Sequence, residues 1–207
     1  MMDSDFGSRG LAMIETAGAA AMAAPGPEEA IRALAQGCFD LLGDRTAHLR
    51  PGALRPGERD YFIAGSFFVT PDRQYHMLVG GIGFPPEQER LLVPIDGGHP
   101  GRVHASRQKL LLENTDEHDG FRQYLKSSRM GSTIFAPILW QGDFHGMLIM
   151  AAQARYGMRP VDLAILVACA QVAAGAWIAH GGPAWLAATY PPPNAFRVNR
   201  EGVDQPG

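Results

Sequence analysis

The chain has 207 residues, enough for one well-buried core and short for two, so a single domain with extra terminal segments is expected. With 46% hydrophobic residues, 19% charged residues and a net charge of -3, it has no general attraction to phosphate backbones, and direct nucleic-acid binding is not expected. Cys38 and Cys169, the only cysteines, each fall inside an apolar helical pattern, which excludes a disulfide framework and suits a reducing cytoplasm.

Residues 1–27 mix Ala, Gly, Met and Pro without a sustained period and end on Pro25, Gly26 and Pro27, so a flexible leader is expected there. Leu11 to Ala24 has the apolar character of a signal-peptide core, but Glu15 interrupts it, and Asp3 and Asp5 outnumber Arg9 before it. From Glu28, the residues Ile31, Leu34, Ala35, Cys38, Phe39 and Leu42 recur at helical spacing, with Glu28, Glu29 and Arg32 on the opposite face. That predicts an amphipathic first helix. After a loop from Asp44 to Asp60, the apolar runs Tyr61 to Thr70 and Tyr75 to Gly83 predict a hairpin around Pro71 to Gln74.

Leu91 to Ile95 reads as a short strand, and the turn Asp96 to Gly101 leads into a predicted short helix from Arg102 to Arg107. Lys109 to Glu113 predicts a strand, and Asp119 to Ser127 a short helix carrying Phe121, Tyr124 and Leu125. Ser132 to Trp140 and Phe144 to Ala152 form a second predicted hairpin, joined by Gln141, Gly142 and Asp143. Pro160 opens a long helix reaching Ala179. Its segment Leu163 to Ala179 is apolar apart from Gln171, yet Ala-rich and slightly short for a span, so a packed core helix is expected and no membrane association. Residues 181–207, with Pro191, Pro192 and Pro193, read as an irregular tail.

This order predicts an α+β fold with helices segregated to one side of an antiparallel sheet. Pro94 to Ser106, with Gly101 before Arg102 and Val103, resembles the segment of GAF domains in which a strand passes through a glycine turn into a short helix. Gly131 and Ser132 through Pro137 and Ile138, then Gly142 and Phe144 to Leu148, resemble the last two strands of that family. Arg159 to Leu163, with Leu166, Ala170 and Gln171, is similar to its closing helix. The resemblance spans about 150 residues, a usual domain size, and places a GAF-like sensory domain at residues 28–180. It implies a central antiparallel sheet of about six strands, N- and C-terminal helices together on one face, and a ligand pocket under short helices and loops on the other. It also implies pairing of those helices in a homodimer.

The segment His99 to His104 is the first candidate site. A helix beginning near Gly101 would aim free backbone N–H groups at the pocket, with Arg102 and His104 adding charge, an arrangement suited to a small anion. The plainer reading leaves Arg102 and His104 solvated. Asp116 and His118 lie where the family's loop covers the pocket, or else cap a helix start. Phe135, with Phe62, Phe67, Phe68, Phe84, Met77 and Trp140, is a candidate for lining an apolar cavity, and strand alternation sends about half of these to each face. His145 stands in a strand where the resembling pattern has an aliphatic residue, and reads as a pocket-facing ligand or a satisfied core histidine. His99 with His104, or His118 with His145, would converge on a metal only through the fold, since no pair has zinc-motif spacing.

The resemblance implies no catalytic residue. The family's methionine sulfoxide reductases and bilin-bearing members need pocket cysteines, and the family's cyclic-nucleotide residue set is missing, with Asp116 alone left of it. The expected function is therefore a small-molecule sensor that signals to a protein partner through its dimer helices. A ligand-free adaptor and a metal- or haem-binding sensor are the alternatives; the sequence names no cofactor.

Overall fold

The computed structural model describes residues 2–202. Two hairpins, β1 (Phe62–Val69) with β2 (Tyr75–Ile82) and β5 (Ser132–Trp140) with β6 (Asp143–Ala152), join through antiparallel pairing of β1 with β6. The first hairpin turns where Asp72 accepts hydrogen bonds from the Thr70 hydroxyl at 2.6 Å and from the Gln74 amide at 3.1 Å. Outside β2 lies β3 (Leu91–Pro94), and outside β5 lies β4 (Leu110–Leu112). A two-residue strand, β7 (Phe196–Arg197), pairs in parallel with β3, so the sheet has seven strands in the order β4-β5-β6-β1-β2-β3-β7. The fold is the expected GAF-like α+β architecture, with one strand more than the sequence indicates.

Alternation divides the strand residues between two cores. Phe62, Ala64 and Phe68 of β1, Ile134, Ala136 and Ile138 of β5, and Leu148, Met150 and Ala152 of β6 join one core, with the helices α2 (Pro27–Leu41) and α4 (Pro160–Ala179). Phe68 stacks on Trp177 of α4 with ring centroids 3.7 Å apart. Ile63 and Phe67, Phe135, and Met147, Ile149 and Ala151 point to the opposite face. There α3 (Gly98–Ser106) and the loop after β4 cover them. Gly80, at φ +65°, lies where a Cβ would stand 2.8 Å from the Arg32 amide nitrogen, which lets the α2 backbone close onto β2.

Three terminal and loop expectations are corrected. Residues expected to be a leader form α1 (Met2–Met22), which buries Ala17 and Ala21 in the helix-side core. Its inner face mixes large and small residues: Phe6, Met13 and Ile14 pack against this core beside Ala17 and Ala21, a Cβ on Gly10 would run into the Ile165 side chain of α4, and Gly37 of α2 leaves room for Met13. Gly10, Ala17 and Ala21 interrupt the large residues of this stripe, so helical periodicity shows it only weakly. The tail likewise carries α5 (Gly182–Thr189) as well as β7.

The third correction concerns the helix expected between Asp119 and Ser127. Residues 118–131 contain neither helix nor strand. The reason is Gln88, fully buried, whose side-chain amide donates to the Tyr124 carbonyl and whose carbonyl accepts from the Lys126 amide, both at 2.8 Å. Its two bonds satisfy the loop backbone in an open path. The short helix α3 also starts four residues before its expected beginning at Arg102, at Gly98.

The start of α4 is set by Asp162, which is fully buried. Its carboxylate accepts from the Arg159 amide at 2.9 Å and from the Gly43 amide at 3.0 Å, and pairs with the Arg159 guanidinium. It thereby caps the helix and anchors the loop after α2. Replacing Asp162 with Ala leaves the Gly43 N–H without its partner and removes the cap. Urea unfolding should lose roughly 2–4 kcal/mol of stability with an unchanged slope; a loss under about 0.5 kcal/mol, the scale of a surface substitution, would show that Asp162 anchors neither element.

Candidate functional site

On the face away from α2 and α4, a partly open cavity of about 70 Å³ lies between the sheet and its cover. Its floor is apolar: Ile63 and Phe67 of β1, Leu91 and Val93 of β3, Phe135 of β5 and Ile149 of β6. The roof comes from His99 and Pro100 of α3 and from the loop, through Phe121, Tyr124, Leu125 and Met130. Phe84, edge-on to Phe67 with centroids 6.3 Å apart, closes one side.

Polar groups in this wall are few. The Thr133 hydroxyl donates to the Met150 carbonyl at 3.2 Å, and the Gln123 side chain donates to the Leu125 carbonyl at 2.9 Å. Two atoms of the wall residues, Nδ1 of His99 and the Tyr124 hydroxyl, are fully buried without a hydrogen-bond partner among the described residues. Burial, with help from the neighbouring positive groups of His118, Arg102 and Arg122, pushes the His99 pKa down to about 4, so its imidazole is neutral at pH 7. Burial also raises the Tyr124 hydroxyl to about 12, keeping it protonated.

Outside this roof lies a second, polar cleft between Asp96, Gly97, Arg102, Glu117, Asp119 and Arg122. His99 belongs to the walls of both spaces, and His118 stands 5.9 Å from it, ring centroid to centroid, in an edge-on arrangement. Two of its three arginines have carboxylate partners: Arg200 pairs with Asp96 at 2.9 Å and Arg122 with Glu201 at 3.5 Å.

The roof loop is held at its N-terminal end by Asp116. Its carboxylate meets Arg155 and Arg55 at 2.8 Å each and Arg129 at 3.3 Å. Arg155, whose side chain is only 3% exposed, also pairs with Glu58. Arg129 in turn lies over the Phe121 ring at 4.7 Å, which ties the ion cluster to a residue of the cavity roof. Burial opposes ionisation of Asp116, but the hydrogen bond and charge of Arg155, with Arg55 and Arg129, outweigh it and hold the carboxyl below its ordinary range.

The nine candidate residues do not converge on one site. Phe135 and His99 line the inner cavity; Val103 is buried in the core beside it; Arg102 and His118 line the outer cleft. Gly101 has a packing role: its amide is already bonded to the Gly97 carbonyl at 2.9 Å, and a Cβ there would stand 2.4 Å from the Asp96 carbonyl carbon. The expected fan of free N–H groups at Gly101 is therefore absent. His104 stacks on Phe144 at 4.5 Å and shares a 3.0 Å hydrogen bond with the buried His76, away from the cavity. Asp116 is engaged by arginines, and His145 lies on the helix side, in a groove with Trp177 and Leu186.

Of the aromatic set, Phe67, Phe84 and Phe135 face the cavity, Phe62, Phe68 and Met77 lie under the helices, and Trp140 is 38% exposed. Histidines pair as His76 with His104 and His99 with His118, not as the sequence paired them. No group of three metal-ligating side chains occurs among the described residues. Tyr124 is the site residue the sequence reading passed over. The adjacent glycines Gly97 and Gly98 make room for its hydroxyl, which stands 2.9 and 2.7 Å from the positions their Cβ atoms would take.

A family model described as "GAF domain" matches residues 26–177. No curated protein matches the chain. Among solved structures, the GAF domain of a phosphoenolpyruvate-protein phosphotransferase from Coxiella burnetii is similar, with 18% identity, a TM-score of 0.69, and coverage of 86% of this chain and 97% of that one. The corresponding Acinetobacter domain has 15% identity and a TM-score of 0.66, covering 84% of this chain and 94% of that one. A free methionine-R-sulfoxide reductase from Neisseria meningitidis, solved with its substrate, has 14% identity and a TM-score of 0.64, covering 83% and 89%. In the present chain Cys38 and Cys169 both lie in the helix-side core, so neither thiol reaches the cavity.

Two pH effects follow. Burial takes His76 down to about 3, assisted by His104, and His99 to about 4, so both histidines accept protons more readily in the unfolded chain. Their contribution is complete above pH 6.5 and is lost as the pH falls from 6.5 toward 4, at up to about 1.4 kcal/mol per pH unit for each histidine. Urea melts at pH 7, 6 and 5 test this; equal stability at all three would show that the imidazoles are solvated. The Asp116 carboxyl is lowered instead, so its contribution is present above its unfolded pKa and lost only below the ordinary carboxylate range. Asp116→Asn should speed amide hydrogen exchange in residues 115–131 and leave the central strands unchanged.

Proposed function

Since the GAF family model matches residues 26–177, the chain belongs to the GAF domain family, and we propose that it is a small-molecule sensor whose ligand enters the cavity under the sheet. The observation that carries this reading is the apolar space between the sheet and its cover, with Phe67, Phe135 and Ile149 below and Tyr124 and Leu125 above. The output route is the sheet itself. Phe135 touches the cavity while its neighbours Ile134 and Ala136 belong to the helix-side core, so a change in cavity volume reaches α4 through one layer of backbone. Ligand binding would select the loop and helix arrangement that fits it best.

The homodimer implied by the resemblance would use a different surface from the one expected. Because α1 packs on α2 and α4, a second subunit or a protein partner would meet the outer side of α1, where Leu11 is 71% and Met22 57% exposed. Two buried, unpaired thiols suit the cytoplasm as its compartment. A small anion is a poorer fit to the inner cavity than to the outer cleft, and the cleft's arginines mostly have carboxylate partners.

One observation favours a second reading. About 70 Å³ is well below the few hundred Å³ usual for ligand pockets, as expected of an adaptor whose pocket has been filled by Phe67, Phe84 and Phe135. A ligand screen by thermal shift, with native mass spectrometry, separates the two: a true ligand at a hundred times its dissociation constant adds about 2.7 kcal/mol of apparent stability. Ala151→Leu, which fills the cavity from β6, should stay folded and lose that response. A library that never stabilises the wild-type chain, or hits that bind the filled variant equally well, would end the sensory reading in favour of the adaptor.

A further inference from the structure

Across the Arg200–Asp96 ion pair from the outer cleft lies another cleft, open to solvent and of about 600 Å³, at the rim of the sheet. One wall is the β1–β2 turn, with Arg73; the other is β7 and the residues after it, with Arg197 and Arg200. Between these walls the strand order places Tyr75, at the start of β2, and its register partner Pro94, at the end of β3.

The residues lining this cleft carry three guanidinium groups and one carboxylate. That carboxylate, Asp96, is engaged by Arg200 through both of its oxygens, at 2.9 and 3.1 Å. Asp72, next to Arg73 in the turn, is occupied within the fold, accepting from the Thr70 hydroxyl, the Gln74 amide and the Tyr190 hydroxyl. Arg73 and Arg197 thus have neither a carboxylate nor a hydrogen-bond partner among the described residues, on a chain whose net charge is -3. The surplus positive charge is felt nearby: burial, and after it Arg73 and Arg107, lower the pKa of His104.

Two guanidinium groups on different walls suit an anion with more than one face. A carboxylate presents two oxygens in one plane, which a single guanidinium fork already satisfies. A phosphate monoester carries three terminal oxygens on a tetrahedral centre and close to two negative charges above pH 7, enough to accept from both arginines and to offset both charges. Tyr75, Pro94 and Val198 offer its organic part an apolar surface.

We propose that this cleft binds a small phosphate monoester, with the phosphate held between Arg73 and Arg197 and the organic body against Tyr75, Pro94 and Val198.

The test is a two-dimensional NMR titration of the full chain at pH 7.5 with phenyl phosphate and with benzoate, which share a ring and differ in the anionic group. Arg73→Gln and Arg197→Gln each remove one guanidinium; both side chains are exposed, so the fold should be kept, as the spectrum itself reports. Arg59→Gln removes the same charge from another exposed position, at the opposite end of β1 from Arg73, and serves as the control. Phenyl phosphate should shift the amides of Gln74, Tyr75, Ile95 and Val198 and bind about tenfold more tightly than benzoate. Each cleft variant should weaken that binding about tenfold, the loss of one charge-assisted hydrogen bond, and the control by less than about twofold. Benzoate binding as tightly as phenyl phosphate, cleft variants that bind like the wild type, or an equal loss in all three variants would overturn the proposal. An absence of shifts at the cleft amides would overturn it as well. The sensory reading concerns the inner cavity, and its ligand screen is decided separately from any of these results.

Discussion

The sheet of this protein has to be dry on both faces, and most of the architecture follows from that requirement. Seven strands rich in Phe, Ile, Leu, Val and Met cannot leave either side in water without losing the burial that offsets chain entropy. The chain solves the two faces differently. On one, α2 and α4 lie flat with small-residue contacts to α1, giving a dense layer with Trp177 and Phe68 stacked inside it. On the other, the cover is a nine-residue helix and a loop without regular structure, which together leave a void. Regular helices pack densely; an irregular cover does so only where its side chains happen to interlock. The functional candidate therefore sits where packing is least regular.

The two faces also differ in how they are fastened. The helix side is tied by buried apolar contact and by the Asp162 cap, which serves α4 and the loop after α2 at the same time. The cavity side is tied by polar clamps: Gln88 on the loop backbone, and Asp116 among three arginines at the loop's start. Polar clamps hold a backbone in place without filling the space beneath it. This allows a cover to be firm and the chamber below to stay partly empty.

What the sequence revealed tracks the size of the side chains involved. Strands, hairpins and the closing helix were legible because large apolar residues recur at the period of each element, as in Tyr61 to Thr70 or Leu163 to Trp177. The helix α1 was not, because the large residues of its docking face, Phe6, Met13 and Ile14, are interrupted by Gly10, Ala17 and Ala21, which count little in any hydrophobic pattern. The open path of residues 119–127 was hidden for another reason: the local pattern favours a helix, and Gln88, more than thirty residues earlier, overrides it. In the candidate site, Phe135 and His99 were found because aromatic and histidine residues attract notice anywhere. Asp116 and His145 attracted the same notice and have other surroundings, since which face a side chain joins is decided by register and by partners distant in sequence.

The Gln88 clamp has a consequence for how such a chamber can diversify. It grips main-chain atoms of Tyr124 and Lys126, which every amino acid possesses, and asks nothing of their side chains. The course of the roof is thus specified separately from its chemistry. Residues such as Phe121, Tyr124 and Leu125 are free to change in size and polarity over generations while the strand of chain that bears them keeps its route, so new ligand preferences become reachable by single substitutions without rebuilding the fold.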